Sequence, residues 1–168
     1  ILDRQRAPTV QGLPLLKPGF YRVTVTPPAG FTATPTSVDI VVGCKATTQV
    51  QFRLDALPLL TVHKVVVNDD GGAATSSDFT LTVNGNPEPF GAPTVLSPGT
   101  STIAESGPFG YDGTISGDCA ADGTITLALG YDKTCVITND DIAPTITLVK
   151  QVINDNGGTA TTTDFTLT

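Results

Sequence analysis

The sequence predicts an all-β protein made of antiparallel β-sandwich modules in tandem, each about 86 residues long. Three observations lead there. Charged side chains make up only 15% of the chain, while 17 Gly and 13 Pro punctuate stretches rich in Thr and Val, a composition of short strands and tight turns. Apolar and polar residues alternate with period two, which places successive side chains on opposite faces of a strand. Finally, residues 59–82 (LLTVHKVVVNDDGGAATSSDFTLT) align without gaps to residues 145–168 (TITLVKQVINDNGGTATTTDFTLT), with 14 of 24 positions identical at an offset of 86 residues.

Residues 1–58 carry three strand patterns, LKPGFYRVTVTPPAGFTATP, TSVDIVV and TTQVQFRL, ending at the Leu57-Pro58 junction. They read as the closing half of a sandwich whose opening strands are missing. Residues 59–144 read as a complete module, with strands expected at 60–67, 79–83, 102–105, 124–129 and 134–138 between Asp-Gly, Asn-Gly and Pro-rich turns. A second junction follows at Ala143-Pro144, and residues 145–168 supply opening strands with no closing half. Head and tail are therefore complementary. Two arrangements satisfy them: the tail of one chain adds its strands to the head of the next, through Ile146, Leu148, Lys150, Val152, Phe165 and Leu167, or the neighbours are further modules of one longer polypeptide.

Sixteen acidic against nine basic residues give a net charge of -7 and a pI near 4.3, so the field of the molecule repels phosphate backbones, and no nucleic-acid partner is expected. No apolar run approaches the roughly 20 residues of a membrane span. No Ser-His-Asp set, phosphate-cradling glycine loop or zinc-spaced Cys/His cluster is apparent, and residues 57–61 (LPLLT) are not an LPxTG sorting signal. No enzyme activity and no cofactor are expected.

From Leu60 onward the first strand LTVHKVVV, the segment STIAESGPFGY and the last strand TCVITND resemble the prealbumin-like, Cna B-type (SpaA-like) immunoglobulin-like modules of microbial surface proteins and pili. The resemblance implies an intramolecular isopeptide bond between a first-strand Lys and a last-strand Asn, assisted by a Glu, at Lys64, Asn139 and Glu105. Strand parity bears on that transfer independently. Lys64 shares its face with Leu60, Val62 and Val66, Glu105 with Ile103, and Asn139 with Cys135 and Ile137, so all three polar groups point toward the core. An unpartnered Lys or Glu there would cost several kcal/mol. Covalent linkage is one way out, since desolvation favours a neutral amine nucleophile beside a protonated acid. A buried ion pair with Asn139 as hydrogen-bond partner is the other. In the head, alignment on the Gly-aromatic pair places Val25 opposite Glu105, and counting back from Pro58 places Arg53 opposite Asn139, so the head lacks both partners.

Cys119 and Cys135 flank the strand expected at 124–129, where an antiparallel return can oppose them in a disulfide, which favours an oxidising compartment; Cys44 is left over. The loop of Asp69 and Asp70, followed by Asp78, offers oxygens for Ca²⁺ but, lacking the full spacing of an EF-hand loop, reads first as a Gly-rich turn, and no metal is expected. His63, the only histidine, alternates to the outer face. The function expected is architectural, an extracellular filament or cell-surface stalk. The alternative is an adhesin recognising a ligand through a loop such as residues 84–94, where Phe90 looks exposed.

Overall fold

A computed structural model describes residues 16–166. The chain opens with four strands, β1 (Gly19–Thr24), β2 (Phe31–Thr34), β3 (Ser37–Val42) and β4 (Arg53–Ala56). Eight more follow: β5 (Leu59–Val67), β6 (Thr80–Val83), β7 (Asn86–Glu88), β8 (Pro93–Val95), β9 (Gly99–Ser106), β10 (Tyr111–Gly117), β11 (Thr124–Leu127) and β12 (Asp132–Asp141). The described residues contain no α-helix, only short 3₁₀ turns at Ser76–Asp78 and Thr162–Asp164.

Strands β5 to β12 form two four-stranded sheets, in the orders β10-β12-β5-β8 and β11-β9-β6-β7. Leu60 and Val62 of β5 and Cys135 and Ile137 of β12 face Leu81, Val83, Ile103, Ile125 and Leu127 of the other sheet, forming one buried core. Each fully enclosed Leu or Ile contributes about 1.5–3 kcal/mol of hydrophobic stabilisation. Among the described residues every strand pair is antiparallel except one: β5 and β12 run parallel, from Leu59 against Asp132 to Val67 against Asp140. The expectation of a wholly antiparallel sandwich is corrected here. A crossover that returns the chain to the flank of its first strand carries no local signature in the residues it joins.

The expected strands 60–67, 79–83, 102–105, 124–129 and 134–138 correspond to β5, β6, β9, β11 and β12. Strands β7, β8 and β10 were not legible. β7 is three residues long with Pro87 at its centre, and β10 (YDGTISG) holds two glycines and little apolar content, so neither carries an alternation to read.

In the head, β1 pairs with β3 and β2 with β4, as β9 pairs with β11 and β10 with β12 in the sandwich. Phe31 opens β2 opposite Ala56, as Tyr111 opens β10 opposite Asp141. Among the described residues, the outer edge of β4 has no counterpart of β5, and the edge of β1 none of β6. Residues 47–52, which precede β4, form no regular strand.

Candidate cross-link site

Lys64 and Asn139 come from the parallel pair β5 and β12, two positions out of step, because Lys64 is paired with Ile137 and Val66 with Asn139. Their side chains are therefore diagonal neighbours on the inner face. Glu105 arrives from the facing sheet, on β9 opposite Leu81 of β6. The structure brings all three together. Lys64 Nζ donates to Asn139 Oδ1 and lies 2.7 Å from Glu105 Oε2. The lysine side chain is 1% exposed and the glutamate 10%, while Asn139 is 6% exposed.

The site is roofed by aromatic rings that sequence reading did not assign to it. Phe79 lies with its centroid 3.7 Å from Lys64 Nζ and Phe90 5.9 Å away. Tyr111 packs edge-on against Phe79. Gly107 is required beneath this roof, since a Cβ there would run into the Phe79 ring. The recurrence of Phe79 as Phe165 in the repeat was the available signal. Phe90 is half-buried and packs against the core instead of standing exposed; among the described residues the most exposed rings are Phe109 and Phe20.

The electrostatics are unbalanced in a specific way. Although Lys64 Nζ is close to Glu105 Oε2, the approach lacks hydrogen-bond geometry, and Oε2 is enclosed with no donor. The amine donates to the carboxamide, and the acid is held beside it as an ion-pair partner without a hydrogen bond to Oε2.

The remaining candidates separate. Cys119 and Cys135 are joined by a disulfide closing a separation of 16 residues. Its geometry differs from the expected return across the strand at 124–129: β11 lies in the other sheet, and Cys119 follows the end of β10, whose Gly117 is opposite Cys135. Cys44 is free and exposed. His63 is exposed, as its parity required.

Asp69, Asp70 and Asp78 do not converge. Asp78 accepts from the Thr75 N–H and hydroxyl at 2.7 and 2.9 Å, closing the 3₁₀ turn, and these bonds hold its carboxyl below the usual range. Asp69 instead lies beside Asp140 and Asp141 of β12, with carboxylate oxygens within 4.8 Å of one another. Asp141 accepts from the Gly72 and Asp70 N–H groups; burial pushes its carboxyl up, but the loop N–H groups hold it below the usual range. Asp140 is pushed up, first by desolvation and then by Asp69, Asp141 and Asp70. The turn is thus braced by backbone N–H donors, with Tyr111 Oη accepting from Ala74 N–H and donating to Asn68 Oδ1.

The tail repeats the local structure of the module's opening. Asn154 Nδ2 donates to Ala160 O at 2.8 Å, as Asn68 Nδ2 does to Ala74 O at 3.0 Å. Thr161 and Asp164 repeat the turn of Thr75 and Asp78, and Lys150 Nζ lies 4.1 Å from the Phe165 ring centroid. Yet residues 145–153 form no strand, and Ile146, Leu148 and Phe165 are 84%, 61% and 44% exposed; Val152 is half-buried, and Leu167 lies outside the described residues.

The head departs from the expected alignment. Its chain reaches Pro58 by one residue fewer than the module reaches Pro144: Leu57 N–H bonds Gly30 O as Ile142 N–H bonds Gly110 O. Leu54, not Arg53, therefore stands where the module has Asn139, and a shift of one residue exchanges the faces, leaving Arg53 outward. By sheet register, Thr24 opposite Ser37 matches Thr102 opposite Thr124, so Pro27, not Val25, takes the place of Glu105. Neither position carries a carboxylate or a carboxamide.

A family model described as a prealbumin-like fold domain, of the SpaA type, matches residues 55–137 and again 141–168. The chain belongs to this family. SpaA-type domains are structural and adhesive modules of pili and cell surfaces, and the two matches start 86 residues apart, the offset of the internal repeat. No curated protein matches the chain. No helix among the described residues is long and apolar enough to cross a membrane.

Proposed function

We propose that this SpaA-type chain is a load-bearing part of an extracellular filament, pilus or surface stalk, hardened by a Lys64–Asn139 isopeptide bond and by its disulfide. The observation that carries this reading is the convergence of Lys64, Glu105 and Asn139 inside the sandwich, from three strands and both sheets. In the reaction, the neutral Lys64 amine attacks the Asn139 carboxamide carbon, polarised by a protonated Glu105. The Nζ–Cγ bond forms, the Cγ–Nδ2 bond breaks, and Glu105 relays the lysine proton to the departing ammonia. A bond joining the first strand to the last, which already run side by side, ties together the two strands through which tension enters and leaves.

The opening segment 145–166 completes a closing half by strand addition, in a neighbouring subunit or in a further module of a longer chain. Support comes from its repetition of the module's opening turn and from the head's repetition of the closing pairings.

Denaturing intact-mass measurement tests the covalent reading. The expected mass is lower than that calculated for the disulfide-bonded chain by about 17 Da, one ammonia, and Glu105→Ala restores the calculated value. A wild-type chain at its full calculated mass would overturn the isopeptide and leave a buried ion pair.

A further inference from the structure

The tail carries a lysine for which the described residues of the head offer no carboxylate or carboxamide at the positions of Glu105 and Asn139. In the module, the lysine of the opening strand is enclosed by Phe79, Glu105 and Asn139. Lys150 already stands against Phe165 as Lys64 stands against Phe79. Laid along β4 as β5 lies along β12, residues 146–152 would put Lys150 beside Phe52 and Val152 beside Leu54. Leu54 is an inward-parity leucine that is nevertheless 43% exposed, as expected of a core position awaiting its cover. The groups that would then surround the amine are Phe52, Leu54, Val25 and Pro27. The carboxylate on β4, Asp55, is 16% exposed, but it shares the side of the strand with Arg53, whose Nε holds it at 2.7 Å.

We infer that Lys150 is a selectivity element: it bars the tail from the head of a second copy and directs it to a closing half that presents a carboxylate and a carboxamide where this module has Glu105 and Asn139. The inference rests on the strand-addition reading above and disfavours the arrangement in which the tail covers the head of another copy. Apolar matching alone would favour head-to-tail association, since Ile146, Leu148 and Val152 have the pattern that the uncovered head face requires. A buried ammonium with no anion and no carbonyl partner reverses that preference, because an unpaired buried charge costs more than one or two apolar side chains return. Strands of similar apolar pattern are thereby sorted by one charge, and pairing between copies is suppressed in favour of the cross-linkable partner.

The test compares the wild-type 168-residue chain with Lys150→Met, which keeps the side chain's length and removes its charge. Mass in solution is followed by light scattering across a concentration series, with amide exchange over residues 47–56 reporting cover of the β4 edge. The module is untouched by the substitution, so both proteins should melt alike. The wild type is expected to stay monomeric with 47–56 exchanging freely, and Lys150→Met to associate at least about a hundredfold more tightly with those amides protected. Equal association and protection in both proteins would overturn the role of Lys150 while keeping strand addition. No protection of 47–56 in either, associated or not, would overturn strand addition onto this head and the inference with it.

Discussion

Replacing Glu105 by Ala puts the physical account of the site to a quantitative test. The Lys64 side chain is 1% exposed, packed beneath Phe79, with its amine 2.7 Å from Glu105 Oε2. Removing the acid leaves an amine that cannot reach water, and breaking a buried pair from one side costs about 3–5 kcal/mol. For a module of fewer than 100 residues, where each kcal/mol moves the melting midpoint by about 4–8 °C, the loss should lower Tm by roughly 12–40 °C. The same substitution removes the proton relay, so the lost cross-link adds to the effect where the bond has formed. A companion separates the contributions: Lys64→Met with Glu105→Leu exchanges the pair for apolar side chains and should recover most of the electrostatic part. Urea titrations of the three proteins, alongside their denatured masses, provide the comparison. If Glu105→Ala unfolds within about 0.5 kcal/mol of wild type, or the double variant is no more stable than the single, the pair is not a buried, mutually dependent unit and the reasoning fails.

Three further expectations concern the disulfide and the carboxylates. The Cys119–Cys135 bridge closes a separation of 16 residues, which in the chain-entropy model contributes about 3 kcal/mol; Cys119→Ala/Cys135→Ala, or reductant on the wild type, should lower Tm by roughly 12–24 °C, and a shift of only a degree or two would refute that role. Acid should destabilise the module through Asp78, Asp118, Asp122 and Asp141, whose carboxyls are held low in the folded state, so their contribution is complete above about pH 4 and disappears as pH falls through the depressed values. Asp140 has the opposite sign: its raised carboxyl, chiefly a desolvation effect, disfavours the fold once ionised, so Asp140→Asn should melt higher than wild type at pH 7 and lose that advantage near pH 3. Identical pH profiles for wild type and Asp140→Asn would dismiss the acidic crowding at the end of β12.

The elements legible in the sequence are those where burial on one face forces alternation. β5, β9 and β12 each show it, and parity along them was enough to turn Lys64, Glu105 and Asn139 inward. β7, three residues around Pro87, and β10, with two glycines and little apolar content, carry no such alternation and are not legible for this reason. The head shows how fine the margin is: a linker one residue shorter puts Leu54 in place of Arg53, and with period two that single step moves every side chain to the other face.

The sequence by itself determined the all-β class, the 86-residue repeat and the inward direction of three polar groups, because each is a local or periodic property of the chain. Only the tertiary structure decided that β12 returns parallel to β5, that Phe79 and Phe90 close over the amine, and that Asp69 meets Asp140 and Asp141 in place of Asp78. Such contacts join residues many tens of positions apart. They are set by how two sheets stack, which alternation along any one strand does not encode.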